Sequence, residues 1–83
     1  MNRTYEAPYS TQDLYFAAYI VATGICLSGL GKAGRSVLFE FEEPERCQQL
    51  ALDWLNERDD DVQASVYARA IKSLKSIAMR GEL

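Results

Sequence analysis

Hydrophobic residues at positions 14–21 lie almost all round a helical wheel. This pattern predicts a helix buried at the centre of a small domain. Ser10 and Asp13 have the spacing of a capping box, so we expect the helix to begin at Ser10 or Thr11. Gly24 follows the apolar run and favours the left-handed conformation that ends many helices.

Two strands are predicted next, at residues 25–30 and 36–42. In the second strand, hydrophobic residues at every other position form one face, with a period of two: Val37, Phe39 and Phe41. The glycine-rich segment at residues 31–34 supplies a turn between the strands. The pair therefore predicts a β-hairpin with one face toward the core.

Two amphipathic helices complete the chain. The first begins at Pro44 and carries an apolar stripe formed by Cys47, Leu50, Ala51, Trp54 and Leu55. A polar link at residues 56–60 ends that helix, and Asp60 or Asp61 is predicted to cap the next one. The apolar face of the last helix consists of Val66, Tyr67, Ala70, Ile71, Leu74, Ile77 and Ala78.

The order helix, strand, strand, helix, helix predicts a small α+β domain in which a two-stranded antiparallel hairpin packs on three helices. We assign residues 1–9 to an irregular N-terminal arm, 10–80 to the domain and 81–83 to a C-terminal tail. A hairpin alone is marginally stable and leaves unpaired edges. A symmetric dimer that joins two hairpins into a four-stranded sheet would resolve both problems, as would a different protein partner.

Composition narrows the classes of function. The 83 residues allow one modest core, and the absence of histidine removes the commonest general base and metal ligand. Cys26 and Cys47 match no redox or zinc spacing, and their apolar neighbours favour free thiols in the core. The longer apolar run at residues 14–27 lacks the features of a secretory signal. It is too short for a membrane span, because polar residues and glycines interrupt or end it: Thr23, Gly24, Ser28 and Gly29. We therefore expect a cytoplasmic protein without cofactor or metal.

One segment matches the G-x-G-x-x-G fingerprint of dinucleotide-binding proteins: Gly29, Gly31 and Gly34. That mechanism needs a helix after the glycines, so that the pyrophosphate meets the N-terminus of the helix. Here a strand is predicted to follow. The P-loop spacing fails as well, because Leu30 occupies the lysine position. We expect the glycines to serve the hairpin turn and not to bind a nucleotide.

Acidic residues cluster before the last two helices, at residues 40–45 and 59–61. Paired carboxylates can bind cations or act as acid and base, but at these positions they favour helix capping. None of the Ser, Cys or Lys side chains has a recognisable base beside it. We therefore predict that the protein is not an enzyme and has no catalytic residues.

Basic residues are concentrated at the C-terminal end. Residues 1–61 contain 5 basic and 11 acidic groups, whereas residues 62–83 contain 4 basic and 1 acidic group. The four cations share one broad face of the last helix: Arg69, Lys72, Lys75 and Arg80. Such a face could contact nucleic-acid phosphates, contact an acidic partner, or simply be solvated. The net charge of −3 and the lack of aromatic residues on this face weigh against nucleic acid.

Several short patterns together resemble a known family. They are Thr11-x-Asp13-Leu14-Tyr15-x-Ala17-Ala18-Tyr19, Gly24 before a hairpin, Phe39-Glu40-Phe41 leading to Pro44, Trp54-Leu55-Asn56, and Tyr67 followed by Lys72-Ser73-Leu74-Lys75. The sequence is similar here to a family of short bacterial and phage-type proteins known only as a domain of unknown function. The resemblance spans about residues 9–79 and implies no catalytic residues. A phage or mobile-element origin is a further expectation from it.

These observations lead to two hypotheses about function. The first is an accessory or interaction module that associates with itself, through its hairpin or first helix, or with a protein partner. The second is a nucleic-acid-binding accessory protein that uses Arg69, Lys72, Lys75 and Arg80.

Overall fold

Three strands and three helices form the part of the chain that the computed structural model describes, residues 7–57 and 62–81. The elements in chain order are β1 (Tyr9–Thr11), α1 (Leu14–Ala22), β2 (Leu27–Ala33), β3 (Ser36–Phe41), α2 (Pro44–Leu55) and α3 (Ala64–Arg80). The α+β class is confirmed. The predicted order lacked the first strand.

The sheet is antiparallel and three-stranded, with β3 in the middle. β1 pairs with one edge of β3, placing Tyr9 opposite Phe41 and Thr11 opposite Phe39. β2 pairs with the other edge, with an irregularity between Leu27 and Gly29. The predicted hairpin of β2 and β3 is present, but the expectation of a sheet with only two strands is wrong, because β1 adds a third. The end of the predicted N-terminal arm, at Tyr9, belongs to the sheet.

Helix α1 begins three to four residues later than predicted. Asp13 is its N-cap, and Asp13 Oδ1 accepts hydrogen bonds from the backbone N–H groups of Tyr15 (2.9 Å) and Phe16 (3.1 Å). Ser10 and Thr11 cannot begin the helix because both are paired with β3. Gly24 has φ +106°, and its N–H donates to the carbonyl of Val21. The predicted left-handed end of the helix is confirmed.

The hairpin turn lies further along the chain than predicted. Ala33 pairs with Ser36, so Gly34 and Arg35 alone form the loop. Gly34 has φ +63°, whereas Arg35 does not have a positive φ. This combination is typical of a two-residue turn with glycine first, whose twist matches that of the strands. Residues 31–33, assigned to the turn from sequence, extend β2 instead.

Helix α2 begins at Pro44 as predicted. Cys47 and Leu50 of its apolar stripe are buried, but Leu55 is 77% exposed. Leu55 therefore does not belong to the core face. Helix α3 begins at Ala64 after Gln63, and Asp60 and Asp61, the predicted caps, lie outside the described residues.

The core lies between the sheet and the helices. Helix α1 packs chiefly against α3, and α2 covers α1 and β1. The aromatic rings of Phe16, Tyr19 and Trp54 lie within 5.2–6.3 Å of one another, centre to centre. Phe39 and Phe41 are buried on the inner face of β3, as their spacing predicted. One face of the sheet is thus covered by helices.

Candidate functional site

Helix α3 carries a basic face, which we define by Arg69, Lys72, Lys75 and Arg80. All four side chains are exposed, and Ala70 and Leu74 on the opposite side of the helix are buried. Within residues 64–80 there is no acidic residue. The apolar and basic faces separate as the sequence predicted, because the core covers only one side of the helix.

The cations of the basic face are available to a ligand. Arg80 Nη1 donates a hydrogen bond to Ser76 Oγ (3.1 Å), one turn back on the same helix. Among residues 7–57 and 62–81, none of the four forms an ion pair. Arg69 and Arg80 are eleven positions apart, which corresponds to about 16 Å along the helix axis. The arrangement is a stripe of positive charge about three turns long.

Strand β2 forms one edge of the sheet, and β1, which contacts α1 and α2, forms the other. β3 is paired on both sides, and the described helices make few contacts with β2. The strand is seven residues long, which corresponds to about 23 Å, and its single charged residue is Lys32. A row of unpaired backbone N–H and C=O groups on such an edge is a template for another strand.

The G-x-G-x-x-G segment has a structural explanation. A Cβ atom on Gly31 would lie 2.7 Å from Glu40 Oε2, and one on Gly29 would lie 3.0 Å from Glu40 Oε1. The Glu40 side chain therefore crosses the outer face of β2 where the two glycines leave room. Gly34 forms the turn, and a strand follows it, not a helix. The geometry required for a pyrophosphate at a helix N-terminus is not met here.

The acidic residues at the start of α2 do not act as side-chain caps. Glu43 is the N-cap residue with φ 60°, and its side chain makes no capping hydrogen bond. Its carboxylate instead accepts from Arg46 Nη1 at 3.4 Å. Glu45 lies in the first turn, where its charge favours the helix dipole. The capping prediction is wrong for Glu43, and residues 59–61 lie outside the described part.

The two thiols occupy different environments. Cys47 is buried, and its Sγ donates to the carbonyl of Glu42 at 3.5 Å. Burial and the Glu43 carboxylate raise the pKa of this thiol, and Arg46 partly opposes them. Cys26 is exposed, contrary to the prediction that both are core thiols. It follows Gly24 and Ile25, and only Ile25 of this segment is turned into the core.

A groove that the sequence did not predict lies beside Cys26. Its volume is about 470 Å³, and it is lined by the end of α1, the start of β2 and α3. Most of its lining is apolar, and Cys26, Arg69 and Ser73 contribute the polar side chains. The sequence contains one indication of it. Helix α1 has apolar residues on every side, including Val21, and the few other elements of this small domain cannot cover all of them.

The described residues contain no group of three or more acidic, cysteine or histidine side chains able to hold a metal ion. Over the same residues, no helix has the length and hydropathy needed to cross a membrane.

The hydroxyl of Tyr67 donates a hydrogen bond to the carbonyl of Tyr15 (3.2 Å) and so connects α3 to α1.

Comparison with known proteins identifies a family and nothing about activity. None of the curated proteins compared with this chain gives a significant match. The solved structures likewise include no significant match. A family model described as a domain of unknown function, DUF5659, matches residues 6–80. The match covers nearly the whole chain, including every element described above, and the chain therefore belongs to the DUF5659 family.

Proposed function

We propose that this protein is a non-enzymatic interaction module of the cytoplasm that acts as a homodimer, joined through strand β2. The observation that carries the proposal is the outer edge of β2, which pairs with no other strand among the described residues and is little covered by the described helices. The opposite edge of β3 is already occupied by β1. Two copies would therefore form a six-stranded sheet, and not the four-stranded sheet expected from two hairpins.

A two-fold axis at Leu30 gives a consistent register. Antiparallel pairing about this residue places Leu30 opposite itself and Gly29 opposite Gly31 of the second copy. Lys32 is then opposite Ser28, so the two lysines stay apart and no like charges face each other. The half-buried Leu30 side chains gain an apolar neighbour across the axis. An interface of this kind is isologous and closes on itself, so it produces dimers and not fibres.

The mass in solution tests self-association directly. Light scattering over a dilution series, at low and at high salt, is expected to show twice the 9.4 kDa mass of the chain. High salt should leave the dimer intact, because backbone hydrogen bonds and Leu30 contacts are not screened as surface charges are. A mass of one chain at every concentration up to the solubility limit would refute the proposal.

A cross-linking experiment tests the register. In a Cys26→Ser background, Leu30→Cys places two thiols on the axis, where directly opposed Cα atoms are about 4.5–5.5 Å apart and suit a disulfide. The matched control is Lys32→Cys, whose two copies would be about 13 Å apart in this register. Mild oxidation should cross-link the first variant and not the second. Equal cross-linking of both, or faster cross-linking of the control, would contradict pairing about Leu30.

A second function, nucleic-acid binding, is favoured by the exposed cations of the basic face and the absence of acidic residues from α3. If α3 contacts phosphates, the affinity for DNA or RNA should fall steeply with salt. Lys72→Glu together with Lys75→Glu should then abolish most of the binding.

The matched control for this second function is Lys32→Glu together with Arg35→Glu, which changes the net charge equally near the tip of the hairpin. The control should retain far more affinity than the α3 variant. A similar loss in both would indicate a general charge effect, and no loss in the α3 variant would eliminate the basic face as a nucleic-acid surface.

A further inference from the structure

We propose that the groove between α1, the start of β2 and α3 is a binding site for a small molecule that has an apolar chain and a carboxylate at one end. The groove is distinct from the β2 edge, although Leu27, the first residue of β2, contributes to its wall. Binding of a ligand in this groove does not require the dimer.

The apolar part of the groove is built from the core outward. Ile25 and Leu74 are each 2% exposed and form its floor. Val21, Leu27 and Ile77 are half-buried and form its walls. A volume of about 470 Å³ lies within the range of known small-molecule sites, roughly 300–1,000 Å³, which are also mainly apolar. The groove follows α3 from Val66 to Ile77, about 16 Å, so an extended chain fits it better than a compact ring.

The polar side chains determine which charge the ligand must carry and how it is oriented in the groove. Within the described part of the chain, Arg69 is the one charged residue that lines the groove, and it forms no ion pair there. Ser73 lies one turn further along α3, so a guanidinium and a hydroxyl border the same stretch of the groove. A planar guanidinium binds a carboxylate through two parallel hydrogen bonds. Among the described residues, no acidic side chain lines the groove, so none of them supplies a matching charge for a cationic head group.

A second, larger depression does not have these properties. It has a volume of about 640 Å³ and lies between the end of α1, α2 and the start of α3. Its charged residue, Arg46, is already engaged by Glu43 at 3.4 Å, and Thr23, Gln49 and Gln63 make its lining more polar. An apolar chain would leave these polar groups without water or partners, which costs free energy.

Cys26 supplies a direct measure of occupancy. Its thiol is exposed and lines the groove, whereas Cys47 is buried, so an alkylating reagent should modify Cys26 selectively. A ligand that fills the groove covers Cys26 and slows its alkylation. This measurement uses the unmodified protein and needs no assumption about activity.

The probe is dodecanoate below its micelle-forming concentration, compared with dodecyltrimethylammonium, which has the same chain and the opposite charge. Dodecanoate is expected to slow the alkylation of Cys26 by iodoacetamide, and dodecyltrimethylammonium is not. Titration calorimetry should detect binding of dodecanoate only. Equal protection by both amphiphiles would refute the proposal, since it would show adsorption to an apolar surface without recognition of the carboxylate.

Two single substitutions assign the recognition to Arg69. Arg69→Gln should weaken dodecanoate binding about tenfold or more, because a charge-assisted pair of hydrogen bonds is lost. Lys72→Gln is the matched control, since Lys72 is on the same helix but does not line the groove, and it should bind as the unaltered protein does. Both side chains are exposed, and unchanged Trp54 fluorescence and circular dichroism would confirm that both variants fold. Equal affinity of the two variants would overturn the assignment.

Discussion

Glycine serves two different purposes in this chain, and the difference is visible at single residues. Gly24 has φ +106°, a conformation that L side chains rarely adopt, and nothing lies within 4 Å of where its Cβ would be. The N–H of Gly24 donates a hydrogen bond to the carbonyl of Val21, and the N–H of Ile25 donates one to the carbonyl of Ile20. Backbone conformation, and not lack of space, therefore explains glycine at position 24. At position 31, by contrast, glycine is explained by lack of space, because a Cβ atom would lie 2.7 Å from Glu40 Oε2.

The two glycines should respond differently to alanine. Gly24→Ala is expected to lower the free energy of unfolding by about 1–2 kcal/mol, because a left-handed residue acquires a Cβ atom. Gly31→Ala should cost less than about 1 kcal/mol, since the Glu40 carboxylate ends a flexible side chain that can turn into solvent. Urea unfolding followed by Trp54 fluorescence measures both. A larger cost at Gly31 than at Gly24 would show that the Glu40 side chain is held in place.

At the scale of single elements, the start of α1 shows how a strand displaces a helix signal. Ser10 and Asp13 have capping-box spacing, which is a local pattern. Ser10 is nevertheless opposite Glu40 in the sheet, and Asp13 takes the N-cap position, with its own N–H donating to Thr11 Oγ1 (3.1 Å). Pairing with β3 supplies hydrogen bonds that a longer helix would have to replace. The partner strand, 28 or more positions away, therefore decides where the helix begins.

A pair of alanine substitutions tests this boundary. Asp13→Ala removes the acceptor of two backbone N–H groups and should cost about 1 kcal/mol of stability, as is typical for an N-cap. Ser10→Ala should change stability by less than about 0.5 kcal/mol, because the Ser10 side chain is exposed and does not cap the helix. Thermal or urea unfolding would distinguish them. A greater loss at Ser10 would restore the helix start that the sequence indicated.

The basic face of α3 and the groove beside it differ in how far sequence could reveal them. The basic face could be read from the chain, because all its members lie on one helix with a period of 3.6 residues. The groove combines Val21 from α1, Ile25 and Cys26 from the following segment, and Arg69 and Leu74 from α3. No local spacing relates these positions, so sequence reasoning placed Cys26 in the core.

At the scale of the whole molecule, one aromatic cluster joins elements that are distant in the chain. Phe16 of α1 lies 6.2 Å from Tyr9 of β1 and 5.6 Å from Trp54 of α2, centre to centre. Tyr19 lies 5.2 Å from Trp54 and completes the cluster. Burial raises the pKa of the Tyr9 hydroxyl, with a smaller contribution from Cys47. The cluster explains how a strand of only three residues is retained in the sheet.

Phe16→Ala tests the contribution of this cluster to the fold. Phe16 is 4% exposed, and removing a buried phenylalanine ring typically costs about 3–5 kcal/mol. Because native proteins have only about 5–15 kcal/mol of stability, this loss should lower the midpoints of thermal and urea unfolding markedly. Trp54 fluorescence and circular dichroism report the loss. The matched control is Leu55→Ala, whose 77% exposed side chain should matter by less than about 0.5 kcal/mol. Comparable losses in both variants would contradict the core described here.

The sequence by itself determined the α+β class, the hairpin, the start of α2 at Pro44 and the two faces of α3. These features depend on local signals: the period of hydrophobic positions, a proline at a first turn and a glycine after a helix. Tertiary structure alone decided that residues 9–11 form a strand, that Cys26 and Leu55 are exposed and that a groove borders Arg69. Each of these features depends on which distant segment of the chain packs against the residue concerned. Burial and strand pairing follow from that tertiary arrangement and not from the local spacing of residues.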